Sequence, residues 1–186
     1  MKSGYHHGDL RSALIETGLK LLAERTADDV SLREMAREVG VSATAVYRHF
    51  PDKGALMSAL AQEGLARLAV VQRQAADAAG GGAAGFAATG RAYVRFAMTN
   101  PALFRLIFSS PAPVDLLQRG AKESADAITF LKANAEAQLG PSADEQAVQV
   151  GALQAWSQAH GLAMLMLDGQ IPARDELIDL VLAKPQ

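Results

Sequence analysis

Residues 30–56 read VSLREMAREVGVSATAVYRHFPDKGAL, and they contain the start and stop signals of two short helices in close succession. Ser31 and Glu34 form a Ser-x-x-Glu capping box, which predicts that the first helix starts here. Gly40 is well placed for the left-handed residue that ends this helix, and Ser42 caps the second helix. Two short helices joined by a tight glycine turn are typical of a helix-turn-helix, whose second helix can enter the major groove of DNA.

The second helix has one apolar and one polar face. Val46 and Phe50 lie within about 40° of each other around the helix, so we expect them to anchor it in a core. Thr44 and Arg48 point away from them and can donate to bases or phosphates, as Tyr47 can to a phosphate. Two further residues complete the polar side, Ala43 at its margin and His49 beside Arg48. Small side chains on this face would let the helix backbone approach the base edges.

A lysine follows at the start of a third helix. Asp52 is predicted to cap that helix, which places Lys53 in its first turn, where a cation opposes the helix dipole. An external anion such as a DNA phosphate would resolve this conflict. However, residues 1–67 hold 9 Lys/Arg and 9 Asp/Glu, a net charge of zero, and a helix-turn-helix shape is common in helical proteins. The residues alone therefore leave DNA binding and a purely structural role open.

Length and composition exclude several protein classes. The 186 residues allow one medium domain or two small ones, and a net charge of −2 creates no overall cationic field. The chain has no cysteine, so disulfides, thiolate catalysis and cysteine-ligated zinc are excluded. The polar N-terminus lacks the apolar core of a secretory signal, and the apolar run 162–167 is too short to span a membrane. We expect a soluble, cytoplasmic protein.

Hydrophobic periodicity predicts an all-α protein. The stretch at residues 75–85, AADAAGGGAAG, is the predicted boundary between an N-terminal and a C-terminal module and is called the seam below. Three consecutive glycines should end the helix before them. The seam also contains Gly80-x-Gly82-x-x-Gly85, but no strand precedes this string and no acidic residue lies between 78 and 114. A dinucleotide site is therefore disfavoured, and we predict no cofactor.

Further breaks divide the C-terminal half. Asn100 is predicted to cap a helix that starts at Pro101. A later helix is predicted to end at Gly140, and Ser142 with Glu145 forms a second capping box for a long helix reaching about residue 168. A last short helix is predicted over residues 174–183.

The string from Tyr5 to Gln62 resembles the N-terminal domain of the TetR family of transcriptional regulators. The resemblance rests on SLREMAREVGVSATAVYRHFPDKGAL, with its Tyr-x-His-Phe core and the following Asp-Lys. The opening YHHGDLR, the helix NPALFRLIF and the string QAWSQAHGLA resemble a subgroup whose C-terminal domain carries a Trp-His-Gly (WHG-type) signature, here Trp156, His160 and Gly161.

This resemblance implies a homodimeric, ligand-responsive regulator that binds an operator on double-stranded DNA. It implies an N-terminal three-helix helix-turn-helix DNA-binding domain at 6–67 and a connecting helix end and loop at 68–85. A C-terminal helical bundle for ligand binding and dimerisation would cover 86–186. Base contacts are implied for Arg33, Ala43 and Thr44, and phosphate contacts for Ser42, Tyr47, His49 and Lys53. Ala45 stands where relatives often carry a hydroxyl or glycine, so a contact there would be apolar.

Two groups of C-terminal residues are candidate sites. Aromatic and methionine side chains predict an effector pocket, although such residues are more often plain core. The candidate pocket residues are Phe96, Phe104, Phe108, Phe130, Trp156, His160 and Met164. A small-residue stripe and an apolar last helix predict a dimer interface that would pair two recognition helices with a palindrome. The candidate interface residues are Ala147, Gly151, Ala155, Leu177, Leu180 and Val181.

Two other classes of function compete with a regulator. An enzyme is disfavoured, because the sequence has no nucleophile elbow, no P-loop and no paired carboxylates on one helix face beyond chance. His6, His7 and Asp9 could suggest a metal site, but adjacent histidines near a terminus are more often solvated, and we predict no metal. A helical interaction or ligand-binding scaffold without DNA binding is the alternative. We expect a repressor that a small-molecule effector releases from its operator.

Overall fold

The computed structural model describes residues 10–109, 131–133 and 135–183, and all regular structure in these ranges is helical. This confirms the all-α prediction. Residues 131–133 and 135–139 are helical as well. The named helices are α1 Leu10–Glu24, α2 Leu32–Val39, α3 Ala43–His49, α4 Lys53–Ala78, α5 Gly82–Thr99, α6 Pro101–Ser109, α7 Glu145–Leu167 and α8 Asp175–Val181, with a 3₁₀ turn at Ala27–Asp29.

The described chain divides into two compact units. Unit 1 contains residues up to 64 together with 102–109, and unit 2 contains residues 65–101 and the described residues from 131 onward. The boundary between the units falls inside α4, and α6 belongs with the helix-turn-helix in unit 1.

Unit 1 is built on a core shared by α1 to α4 and α6. Its fully buried apolar side chains include Leu14, Met35, Val46, Leu56, Leu60 and Phe104. Two glycines let the helices approach closely. A Cβ at Gly18 would lie 2.8 Å from Leu60 Cδ2, and one at Gly64 would lie 2.7 Å from Leu103 Cδ1. Real Cβ contacts are longer than this, so a side chain at either glycine would clash. The contacts of α1 and α6 with α4 therefore each depend on a glycine.

Unit 2 packs α5 against α7 and α8. Val94 and Ala97 on α5 and Ala163 on α7 are fully buried. Arg95 fastens α8 to α5, because its Nε donates to Asp175 Oδ1 at 2.9 Å and its Nη2 to Asp179 Oδ1 at 3.1 Å. These groups are partly exposed, so the pairs contribute little energy individually and mainly select the position of α8.

The observed helix ends match the predicted ones at residues 75–85, whereas two of the predicted caps differ. As predicted, α4 ends at Ala78 before the glycines, and α5 begins at Gly82. Ser142 was predicted to cap α7, but Asp144 does so, its Oδ1 accepting from the Ala147 N–H at 2.7 Å. A carboxylate adjacent to the helix start is the better cap, because it also faces the positive end of the dipole.

The second difference concerns Asn100. It was predicted to cap the start of α6, which does begin at Pro101. Its side-chain amide instead donates to the Phe96 carbonyl at 3.1 Å and so closes the end of α5. The same carbonyl accepts from the Asn100 backbone N–H at 2.9 Å, so the backbone and the side chain of Asn100 both bond to the last turn of α5.

Candidate nucleic-acid interface

The start of α2 is held by a serine cap and an ion pair. Ser31 Oγ accepts from the Glu34 N–H at 3.2 Å, and Val30 and Met35 are buried where a hydrophobic staple would place them. The Glu34 carboxylate does not close the predicted capping box, since it accepts from Arg25 Nη1 at 2.7 Å. This ion pair neutralises an acidic group on the helix that carries the exposed Arg33.

The turn between α2 and α3 has the predicted glycine geometry. Gly40 has φ 77° and ψ 32°, in the left-handed region. Its N–H donates to the Ala36 and Arg37 carbonyls in the last turn of α2. The Val41 N–H donates to the Ala36 carbonyl at 2.9 Å. Ser42 Oγ then accepts from the Ala45 N–H at 3.2 Å and caps α3. One residue without a Cβ therefore sets the angle between the two helices.

Gly40→Ala is expected to destabilise the protein by about 1 kcal/mol, because an L side chain is disfavoured at positive φ. Urea unfolding followed by circular dichroism measures this change. Gly90→Ala is the matched control. Its Cβ would lie 3.6 Å from Leu182 Cδ1, an ordinary contact, and alanine there should stabilise α5 by up to about 1 kcal/mol. Equal effects of the two substitutions would contradict the role of the left-handed turn.

The two faces of α3 lie as predicted. Val46 is 0% exposed and Phe50 2% exposed, so they fix the helix to unit 1. The opposite face is exposed to solvent and is called the recognition face below. It comprises Ser42, Ala43, Thr44, Tyr47, Arg48 and His49. Arg33 is exposed on α2, which packs against α3. The structure thus presents hydroxyl, imidazole and guanidinium donors on one short, rigid helix.

Lys53 is the first residue of α4, directly after this helix. Asp52 Oδ1 accepts from the Ala55 N–H at 2.7 Å, which confirms the predicted cap. Lys53 Nζ donates to the Asp28 carbonyl at 2.6 Å, a contact that the sequence did not reveal. An ammonium has three N–H donors, so the carbonyl can hold the charge in place while other donors meet a phosphate.

A second polar cluster lies within unit 2. Trp156 Nε1 donates to the Tyr93 hydroxyl at 3.1 Å, and that hydroxyl lies 2.8 Å from His160 Nδ1. The hydroxyl accepts from the indole, and the imidazole tautomer sets which partner donates in its contact with Nδ1. Burial raises the pKa of the Tyr93 phenol and lowers the pKa of His160. Trp156 and His160 were predicted to share a face, whereas Tyr93 was not singled out.

We expect the protein to lose stability as the pH falls below about 6.5, because the lowered pKa of His160 means that the unfolded chain takes up this proton first. The contribution is fully present above pH 6.5 and declines toward the folded-state pKa. Thermal unfolding at pH 8 and pH 5.5 measures it. His160→Gln should flatten the decline. A decline that persists in His160→Gln would contradict this assignment.

The candidate pocket residues do not fall in one unit. Phe104 and Phe108 lie in unit 1, with ring centroids 4.9 Å apart. Phe96, Trp156, His160 and Met164 lie in unit 2, where the Trp156 and His160 rings are 6.1 Å apart. Phe130 lies outside the described residues, as do His6, His7 and Asp9. Within the ranges that are described, no group of three or more His, Asp or Glu residues could hold a metal ion.

The candidate dimer residues lie on the partly exposed side of α7 and on α8. Ala147 and Leu180 are exposed, and the other four, Gly151, Ala155, Leu177 and Val181, are half-buried. The surface of α7 is also unusually apolar. Val150, Leu153 and Leu165 are 47%, 41% and 47% exposed. No Asp, Glu, Lys or Arg occurs in α7 after Glu145.

None of the helices in the described ranges has the length and apolar character that crossing a membrane requires.

Two family matches cover much of the chain. Residues 14–60 match the bacterial regulatory proteins of the tetR family, and residues 86–184 match the tetracyclin repressor-like C-terminal domain.

Solved structures share this fold. A Rhodococcus sp. RHA1 protein of unknown function has 31% sequence identity and a TM-score of 0.74, over 97% of this chain and 95% of that one. A tetR-family transcriptional regulator from Streptomyces coelicolor has 24% identity and a TM-score of 0.66, over 96% and 79%. A TetR transcriptional regulator from Rhodococcus sp. RHA1 has 18% identity and a TM-score of 0.57, over 97% and 98%. With its helix-turn-helix and both family matches, the chain belongs to the TetR family and is a DNA-binding transcriptional regulator.

Proposed function

We propose that this regulator is a cytoplasmic, homodimeric repressor that a small-molecule effector releases from a palindromic operator. The observation that carries the proposal is the exposed recognition face on a helix whose other side is fully buried. Its DNA-binding domain would span residues 6–67 and its ligand-binding and dimerisation domain residues 86–186, joined by 68–85. No cofactor, metal or catalytic residue is proposed.

Base reading is proposed for Ala43 and Thr44, because the N-terminal residues of a recognition helix face the base edges. It is also proposed for Arg33, which is exposed on α2, the helix that packs against α3. Ala43 offers a methyl contact to thymine, and Arg48 can donate to a base or a phosphate. The phosphate contacts would position the helix without reading sequence. The residues proposed for that role are Ser42, Tyr47, His49 and Lys53.

Dimerisation is proposed through α7 and α8. An exposed helix side that carries large apolar side chains and no charge after Glu145 suits burial against a second copy. A Cβ at Gly161 would meet nothing within 4 Å, so a partner helix could approach closely there. The partner-facing residues would include Ala147, Gly151, Ala155, Leu177, Leu180 and Val181. A two-fold dimer binds two half-sites at once, which raises the affinity of a module that has no net charge.

The effector is proposed to bind in the C-terminal domain near Trp156 and His160. These half-buried rings, hydrogen-bonded to buried Tyr93, combine apolar surface with polar groups, as small-molecule sites do. The further pocket residues proposed are Phe96 and Met164, which lie in the same unit, and Phe130. The positions of Trp156, His160 and Gly161 also support membership of the subgroup with a Trp-His-Gly C-terminal domain.

Release is proposed to be a population shift between two dimer geometries, only one of which matches the operator. The packing of α6 supports this mechanism. Although α6 lies within the residues that match the C-terminal family domain, it packs against Gly64 in the unit that contains the helix-turn-helix. Because this helix contact is already closely packed, a displacement of α6 would also move α4.

Fluorescence anisotropy tests the proposal. The purified protein is titrated onto DNA from just upstream of its own gene, over a range of salt concentrations, with unrelated DNA as competitor. Tight binding that only the upstream DNA competes away supports a specific repressor, and compounds are then screened for release. If that DNA is not bound, binding sites are selected from a random-sequence pool. A protein that neither binds upstream DNA nor enriches any sequence would overturn the proposal.

A further inference from the structure

An arginine outside the helix-turn-helix lies against the end of the recognition helix. Arg11 is the second residue of α1, and its guanidinium carbon is 5.5 Å from the centroid of the Phe50 ring. Phe50 closes α3, because its N–H donates to the Val46 carbonyl at 2.9 Å. Its ring is fixed by burial, with 2% exposure. The position of the Arg11 charge is therefore tied to the position of α3.

The charge of Arg11 is exposed and is not neutralised within the described residues. Arg25, one residue after the end of α1, forms an ion pair with Glu34 at 2.7 Å. By contrast, no carboxylate in residues 10–109 lies within ion-pair distance of Arg11. The attraction between a cation and the face of an aromatic ring acts on the charge and uses no oxygen acceptor. The five N–H donors of the guanidinium therefore remain available to an anion.

We propose that Arg11 contacts an operator phosphate, as a DNA contact in addition to those of the helix-turn-helix and Lys53. A phosphate is the expected partner, because bases are read from the N-terminal part of a recognition helix and Arg11 lies at its C-terminal end. The attraction to the Phe50 ring keeps the guanidinium beside the end of α3 before DNA arrives, so less side-chain freedom is lost on binding. Arg11 would thus fix the register of α3 on the duplex without reading its sequence.

The test compares Arg11→Met with the wild type on a duplex that the wild-type protein has selected from a random pool. Methionine can still cover the Phe50 ring but carries no charge. Each dimer loses two phosphate contacts, so we expect roughly tenfold weaker binding at physiological salt. The slope of log affinity against log salt should become shallower by about 1.8. Binding to a duplex with mismatched base pairs should weaken by the same factor.

Two variants make the result specific. Lys20→Met removes the same charge from α1, nine residues on and thus about 180° around the helix, and should keep the wild-type slope. Arg11→Lys keeps the charge and should also keep the slope, with affinity reduced because an ammonium has three N–H donors where a guanidinium has five. Thermal unfolding of Arg11→Met reports any structural role separately. An Arg11→Met slope equal to that of the wild type, or a Lys20→Met slope equally reduced, would overturn the proposal.

Discussion

Replacing both Arg48 and Lys53 with alanine is expected to abolish operator binding at physiological salt. Arg48 is exposed on α3, and Lys53 is held by the Asp28 carbonyl at the start of α4. A dimer would lose four charge-assisted contacts, which corresponds to roughly a thousandfold in affinity. If all four are phosphate contacts, the salt dependence should also become shallower by about 3.6 in slope.

Anisotropy on the selected duplex measures this loss of affinity. The two single variants show how much of the loss each residue causes. Lys53→Ala should weaken binding equally on matched and mismatched duplexes. If Arg48 reads a base, Arg48→Ala should weaken the matched duplex more and so relax specificity. The double variant Lys20→Ala with Arg174→Ala removes the same charge from exposed positions outside the recognition face and is the control. Unchanged affinity in the Arg48 and Lys53 double variant would show that the assigned DNA surface is wrong.

Local signals in the sequence were sufficient for the helix-turn-helix. The Ser31 and Ser42 caps, the left-handed Gly40 and the Asp52 cap all form as predicted. Each depends on residues within four positions of one another, so tertiary contacts need not be known. The 3.6-residue period also assigned the faces of α3 correctly, because Val46 and Phe50 are the buried pair.

Predictions failed where two local partners competed or where the partner was distant. Asp144 rather than Ser142 caps α7, although both residues are suitable caps. Glu34 pairs with Arg25, nine residues away, instead of completing its capping box. Tyr93 is 63 positions from Trp156 in the chain, and no periodic pattern connects α5 to α7. Contacts between helices of this kind follow from packing, which the sequence of one helix does not specify.

Leu165→Glu is expected to dissociate the proposed dimer and so to remove most of the operator affinity. Leu165 is 47% exposed in the protomer, on the side of α7 that has no charged residue after Glu145. A carboxylate there costs the protomer little, within about 0.5 kcal/mol for a surface substitution. In a two-fold interface it would bury two unpaired charges, so we expect the dimer dissociation constant to rise at least about 100-fold.

Sedimentation equilibrium measures the dimer, and anisotropy on the full palindrome measures the consequence for DNA. A monomer engages one half-site, so it loses the gain in effective concentration that the second half-site provides. Leu165→Met keeps apolar volume and should leave both measurements unchanged. Circular dichroism should show the same helix content for both variants. A Leu165→Glu protein that remains a dimer with wild-type affinity would place the interface elsewhere, and the exposed apolar residues of α7 would then need a different partner.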